Sequence, residues 1–114
     1  MKLNIRTVSE YQVIAIDEEL SVISELEELH DLVRGYVERG QRKIAVCFPN
    51  ASYIYSGAIA VLLKCFKAVG ANKTEGELCI VESNPDIRGI FATLHLDELI
   101  RIVDREEDLL EAGK

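Results

Sequence analysis

Residues 44–70 read IAVCFPNASYIYSGAIAVLLKCFKAVG, and the rest of the chain is organised around them. Ile44, Val46 and Phe48, with Ala45 and Cys47 between them, form a continuous apolar run of strand length. That is the pattern of a central strand covered on both faces. Pro49, Asn50 and Ser52 break the run, and Ile59, Leu62, Leu63 and Phe66 then recur at helical spacing until Gly70 supplies a C-terminal stop. The turn between strand and helix therefore lies at the C-terminal edge of a sheet.

Ser56 stands where the helical pattern begins and is expected to be its N-cap. A serine there faces the positive end of the helix macrodipole, where a phosphate is accommodated. Gly57, Ala58 and Ala60 leave the first turn nearly bare, which suits a flat contact with another protein. The alternative is plain: serine is among the commonest caps, and capping alone accounts for it.

Tyr53-Ile54-Tyr55-Ser56-Gly57-Ala58-Ile59-Ala60-Val61-Leu62-Leu63 resembles the signature of the STAS domains of bacterial anti-sigma factor antagonists. In that signature an aromatic, a hydrophobic and an Asp precede the phosphoacceptor serine, and glycines stand two and four places after it. Ser56 falls on the phosphoacceptor. Tyr55 replaces the Asp, and Ala58 and Ala60 replace the glycines. The resemblance continues through Gly76-Glu77-Leu78, Asn84-Pro85-Asp86-Ile87, Leu94-His95-Leu96-Asp97 and Arg105 to Leu110. It implies a STAS fold of α/β class: a mixed β-sheet with an antiparallel N-terminal edge and about four α-helices. It also implies binding to a serine-kinase anti-sigma factor, reversed by phosphorylation of Ser56. The partner surface would comprise Ser52, Tyr55, Ser56, Gly57, Ala58 and Ala60, with Asp17 and Glu18 from the loop after the second strand. The residues alone read first as a solvated acidic loop at Asp17-Glu18-Glu19, and as a turn residue at Ser52.

The element order agrees with this independently. Leu3, Ile5 and Thr7 alternate with polar residues, and Val13–Ile16 forms a second apolar run beyond Ser9-Glu10-Tyr11. These read as two strands joined by a tight turn. Ile23, Leu26, Leu29, Val33 and Val37 mark an amphipathic helix with a capping box at Ser24 and Glu27 and a stop at Gly40; His30 reads as surface. Leu78, Ile80 and Val81 form a further strand, and Asn84 before Pro85 starts a helix with Ile87, Ile90, Phe91 and Leu94 on its buried face. Leu99–Val103 reads as a last strand, and Asp104 with Glu107 as the capping box of a final helix holding Leu109 and Leu110. The sequence predicts β-β-α-β-α-β-α-β-α, one domain over residues 1–114.

Composition narrows the function. A net charge of -7 argues against nucleic acid and anionic membrane surfaces as partners. Cys47, Cys65 and Cys79 sit inside apolar runs with no CxxC or metal-binding spacing, so they read as reduced core thiols. No apolar run approaches the about 20 residues that span a bilayer, and no signal pattern opens the chain, which points to the cytoplasm. A glycine-rich phosphate loop and a G-x-S-x-G elbow are both missing, and only His30 or His95 could serve Ser56 as a base. The expected function is therefore binding rather than catalysis, with no cofactor and no metal. The chain is expected as a monomer or weak dimer. Two alternatives share the same surface: a non-phosphorylated STAS scaffold subunit of a stress-signalling or lipid-transport assembly, with Tyr55 as a constitutive anchor, and a small-anion or nucleotide site in the turn from Asn50 to Gly57 at the helix start, a turn without lysine or arginine.

Overall fold

The computed structural model of the protein describes residues 3–17, 26–41, 43–49, 53–70 and 77–110. Five strands form one sheet: β1 (Leu3–Val8), β2 (Tyr11–Ile16), β3 (Lys43–Cys47), β4 (Glu77–Val81) and β5 (Arg101–Val103). Their spatial order is their chain order. β1 and β2 pair antiparallel, and β2, β3, β4 and β5 run parallel. Only two residues, Ser9 and Glu10, separate Val8 from its partner Tyr11, and Ser9 takes a left-handed φ of 56° to close that turn.

The unbroken apolar run of β3 is explained by what lies on either side. Ile44 and Val46 join Ile14, Ile16, Leu78 and Ile80 on one face, where α1 (Glu27–Glu38), α2 (Ser56–Val69) and α3 (Pro85–Thr93) pack. Ala45 and Cys47 join Val13, Ala15 and Cys79 on the other, a second cluster that Leu109 completes. Alternate side chains of a strand point to opposite faces, so a strand covered twice has no polar position to spare.

The helices follow their apolar periods. Leu29 and Val33 of α1 are fully buried, as are Leu62, Cys65 and Val69 of α2 and Ile87 and Phe91 of α3. Truncating Leu29, Leu62, Ile87 or Phe91 to alanine costs about 2–5 kcal/mol, because the site loses transfer energy and keeps a cavity. α3 starts as its sequence requires: the Asn84 side chain accepts from the Asp86 amide at 2.9 Å, with Pro85 in the first turn. α2 stops at Gly70, whose φ of 68° is left-handed.

The structure corrects several expectations. Among the described residues there are three α-helices, since the segment expected as a final helix, Glu106–Leu110, is a 3-10 helix. Its capping box does not form: the Asp104 carboxylate is held by the Arg88 guanidinium of α3, and Arg105 donates its amide to Asp108 instead. β5 begins at Arg101 because Leu96–Glu98 winds into a 3-10 turn, leaving Ile100 buried and Leu99 57% exposed. Leu94, expected on the buried face of α3, lies past its end and is 52% exposed. α1 begins at Glu27 with Leu26 at the N-cap position and no side-chain cap; Ser24 of the expected box lies outside the described residues. His30 is half-buried rather than on the surface, with Nδ1 3.8 Å from Glu27. Among the described residues no helix is long and apolar enough to cross a membrane, and no group of His, Cys, Asp and Glu side chains is placed to hold a metal ion.

Candidate functional site

The connection from β3 to α2 is built by alternation. Ile54 is driven into the core at 2% exposure, and this turns its neighbours outward. Tyr53 is half exposed and Tyr55 half buried, and their rings meet edge to face with centroids 4.9 Å apart. Two large amphipathic rings thus stand beside the start of α2.

Ser56 is not the N-cap. Tyr55 holds that position, with extended backbone (φ −93°, ψ 158°), and its carbonyl accepts from the amides of Ala58 at 2.9 Å and Ile59 at 3.1 Å. No side chain caps the helix. Ser56 is instead the first helical residue and is exposed, so its hydroxyl is not consumed by the helix's own amides. Serine's capping preference lost to the burial of Ile54, and the helix starts one residue earlier than the sequence suggests.

Gly57 is exposed as well, and nothing in the fold demands glycine there: a Cβ would meet no heavy atom within 4 Å. Glycine in a helix costs up to about 1 kcal/mol relative to alanine, and here the return is a bare patch of backbone beside Ser56. Ala60 is exposed one turn further on. Ala58 does not share this surface. It is 5% exposed and belongs to the core with Leu62, Cys65 and Val69, so the smallness expected to serve a partner serves the helix–sheet packing instead. The spacing of 58, 62, 65 and 69 carried that signal.

The exposed stripe of α2 runs Ser56, Ala60, Lys64 and Lys67, spaced four, four and three residues apart. Lys64 reaches the Glu27 carboxylate of α1 at 2.8 Å. Tyr53, Lys64 and Lys67 were not among the residues singled out from the sequence, although the helical period from Ser56 passes through both lysines.

Asp17 directly follows β2 at the same edge of the sheet, half-buried, and lines a cavity of about 370 Å³ with Phe48, Pro49, Glu82 and Asp104. Glu18 and Ser52 lie outside the described residues. The three thiols are buried, and burial pushes them up, Cys47 to about 11 and Cys65 and Cys79 to about 12.

A family model described as the STAS domain matches residues 2–109. No curated protein matches the chain in sequence. Among solved structures, an anti-sigma-factor antagonist (STAS) domain protein from Planctomyces limnophilus superposes with a TM-score of 0.77 at 17% identity, covering 98% of this chain and 98% of that one. An anti-sigma factor antagonist from Mycobacterium paratuberculosis gives 0.74 at 13% identity over 97% of this chain and 92% of that one. The Bacillus cell fate determinant SpoIIAA in its phosphorylated form gives 0.70 at 18%, covering 99% and 100%. Likeness at these identities is likeness of fold.

Proposed function

Because the chain belongs to the STAS domain family, we propose that it is an anti-sigma factor antagonist, a cytoplasmic interaction module that binds a serine-kinase anti-sigma factor and releases it when Ser56 is phosphorylated. The observation that carries this reading is the outward face at the start of α2: an exposed Ser56 free of any capping role, a Gly57 that the fold does not need, and an exposed Ala60. SpoIIAA, similar in fold, exists in unphosphorylated and phosphorylated forms.

The physics of the switch is short. An unphosphorylated Ser56 lets a partner lie flat on Gly57 and Ala60. A phosphate adds about −1.5 to −2 charge and three strong acceptors in the middle of that contact. The helix N-terminus tolerates the charge, so the fold survives while the complex does not. The kinase and its nucleotide belong to the partner, and this chain acts by binding, without catalysis or a cofactor of its own.

The Tyr53–Tyr55 pair favours a second reading, in which the same face docks constitutively and Tyr55, standing where the family signature has Asp, is an aromatic anchor. Pull-down from native lysate with wild type and Ser56→Glu side by side separates the two. A kinase-type anti-sigma factor caught by wild type and lost with Glu supports the switch. The same partner held by both overturns it in favour of the constitutive adaptor.

A further inference from the structure

α1 and α2 pack side by side and leave an open groove of about 560 Å³ between them. Val37 and Ala68, half-buried against the core, give it an apolar floor. Arg34 stands on the α1 side, Lys64 and Lys67 on the α2 side, and Glu38 is the one carboxylate in the lining. The groove is thus positive in a chain whose net charge is -7. Lys64 is bound to Glu27, whereas Arg34 and Lys67 have no ion-pair partner among the described residues. Such a groove is complementary to apolar side chains carried together with carboxylates.

The chain presents that combination on its own surface. Leu94 ends α3 and Leu99 follows the 3-10 turn Leu96–Glu98; the two are 52% and 57% exposed, with exposed Asp97 and Glu98 between them. The other large apolar side chains exposed among the described residues are Ile5 and Tyr53. Ile5 stands between Asn4 and Arg6, and Tyr53 lies against Tyr55, so only the two leucines have acidic neighbours. The corner is also fixed in shape. His95 takes a left-handed φ of 60°, its Nδ1 lies 2.5 Å from the Glu98 carboxylate, and the amide of the buried Ile100 donates to the Leu96 carbonyl at 2.8 Å. A preformed corner loses little freedom on docking. It packs on α3 and β5, at the edge of the sheet opposite β1, while the groove lies between the first two helices, so one molecule does not fill its own groove.

We propose that the Leu94–Leu99 corner of one molecule docks into the α1–α2 groove of a second copy. The leucines lie on Val37 and Ala68, and Asp97 and Glu98 face Arg34, Lys64 and Lys67. The contact is small and each copy is acidic as a whole, so the association is weak and reversible. It leaves the start of α2 uncovered and rests on nothing assigned to Ser56.

Sedimentation equilibrium of the purified chain from about 10 μM to about 1 mM is the test, and the mean mass should rise with concentration, with a dissociation constant of about 1 mM or lower. Arg34→Glu with Lys67→Glu should weaken association at least about tenfold, and Asp97→Lys with Glu98→Lys should do the same, because each sets like charges against each other. All four substitutions in one chain exchange the signs of the two surfaces and should restore association. Leu99→Ser, at a position already exposed, changes no charge and should weaken association about threefold or more. A wild-type chain that stays monomeric throughout, a groove or corner reversal that associates like wild type, a four-fold exchange that stays monomeric, or an unaffected Leu99→Ser would each overturn the proposal.

Discussion

The Tyr11 hydroxyl at the start of β2 donates to the Glu77 carboxylate at the start of β4 at 2.5 Å, spanning β3 between them. The ring is buried, with Cys79 Sγ 4.0 Å from its oxygen and the Lys43 ammonium 5.9 Å from its centroid. Burial and the carboxylate together hold the phenol well above its ordinary value. This bond closes the N-terminal end of the face on which none of the three α-helices packs. Tyr11→Phe should therefore lower unfolding stability by about 1–2 kcal/mol, the worth of a partly buried bond to a charged acceptor. Urea titration measures it, and an unchanged midpoint would mean that the ring alone does the work.

Ser56 as first helical residue and Ser56 as N-cap make different predictions. A cap replaced by alanine costs about 1 kcal/mol. Since Tyr55 occupies the cap, Ser56→Ala should shift stability by no more than about 0.5 kcal/mol, the range of ordinary surface changes. Thermal denaturation decides, and a loss near the cap value would return the serine to a structural role.

Ala58 and Ala60 should part company when enlarged. Ala58→Leu overpacks the contact with the sheet and should cost about 1–3 kcal/mol. Ala60→Leu faces outward and should leave the melting transition in place while obstructing any partner that lies on the start of α2. Melting curves and partner capture, run on both variants, read the two effects separately.

Much of this was legible in advance because single residues dictated it. The five apolar residues of 44–48 fit only a doubly covered strand, Asn84-Pro85 fits only a helix start, and Gly70 only a left-handed stop. The misreadings came where a distant residue outvoted a local preference. Ile54's burial moved the cap to Tyr55, Arg88 took the carboxylate that would have capped the last helix, and Ala58's phase with Leu62 turned it inward. The cavity around Glu82 gave no signal at all, since its lining comes from strand ends and loops scattered from Asn4 to Glu106.

The thiols offer a check on packing. With Cys47 raised to about 11 and Cys65 and Cys79 to about 12 by burial, little thiolate exists near neutral pH. Iodoacetamide labelling should be far slower than for free cysteine and should accelerate with denaturant. Cys47, which borders the cavity, should react first among the three, as mass spectrometry of the labelled peptides would reveal; native labelling at the free-cysteine rate would contradict the burial.

Glu82 makes stability depend on pH in a definite direction. Its carboxyl is raised in the folded state, so as pH rises from the ordinary glutamate range through the folded value, the unfolded chain has lost a proton that the folded chain still holds. The folded state binds more protons there, and its stability falls with increasing pH. Glu82→Gln removes that slope. The melting temperature of the variant relative to wild type should therefore climb from about pH 4 to about pH 7. A difference that stays flat or falls across the same interval would show that Glu82 is not held above its ordinary value.

A sheet whose strands lie side by side in the order of translation can be assembled from one end. β1 and β2 close on each other through a two-residue turn, and each later strand adds to the edge left by the one before. No strand has to wait for a later one to be threaded between two already in place. A chain emerging from the ribosome at about 5–20 residues per second can lay down its hairpin while the C-terminal half is still unmade. The growing edge is the hazard of that schedule, since until β5 arrives β4 presents unpaired backbone. β5 is only three residues long, with Arg101 exposed, and so it both ends the sheet and offers the next molecule little to pair with.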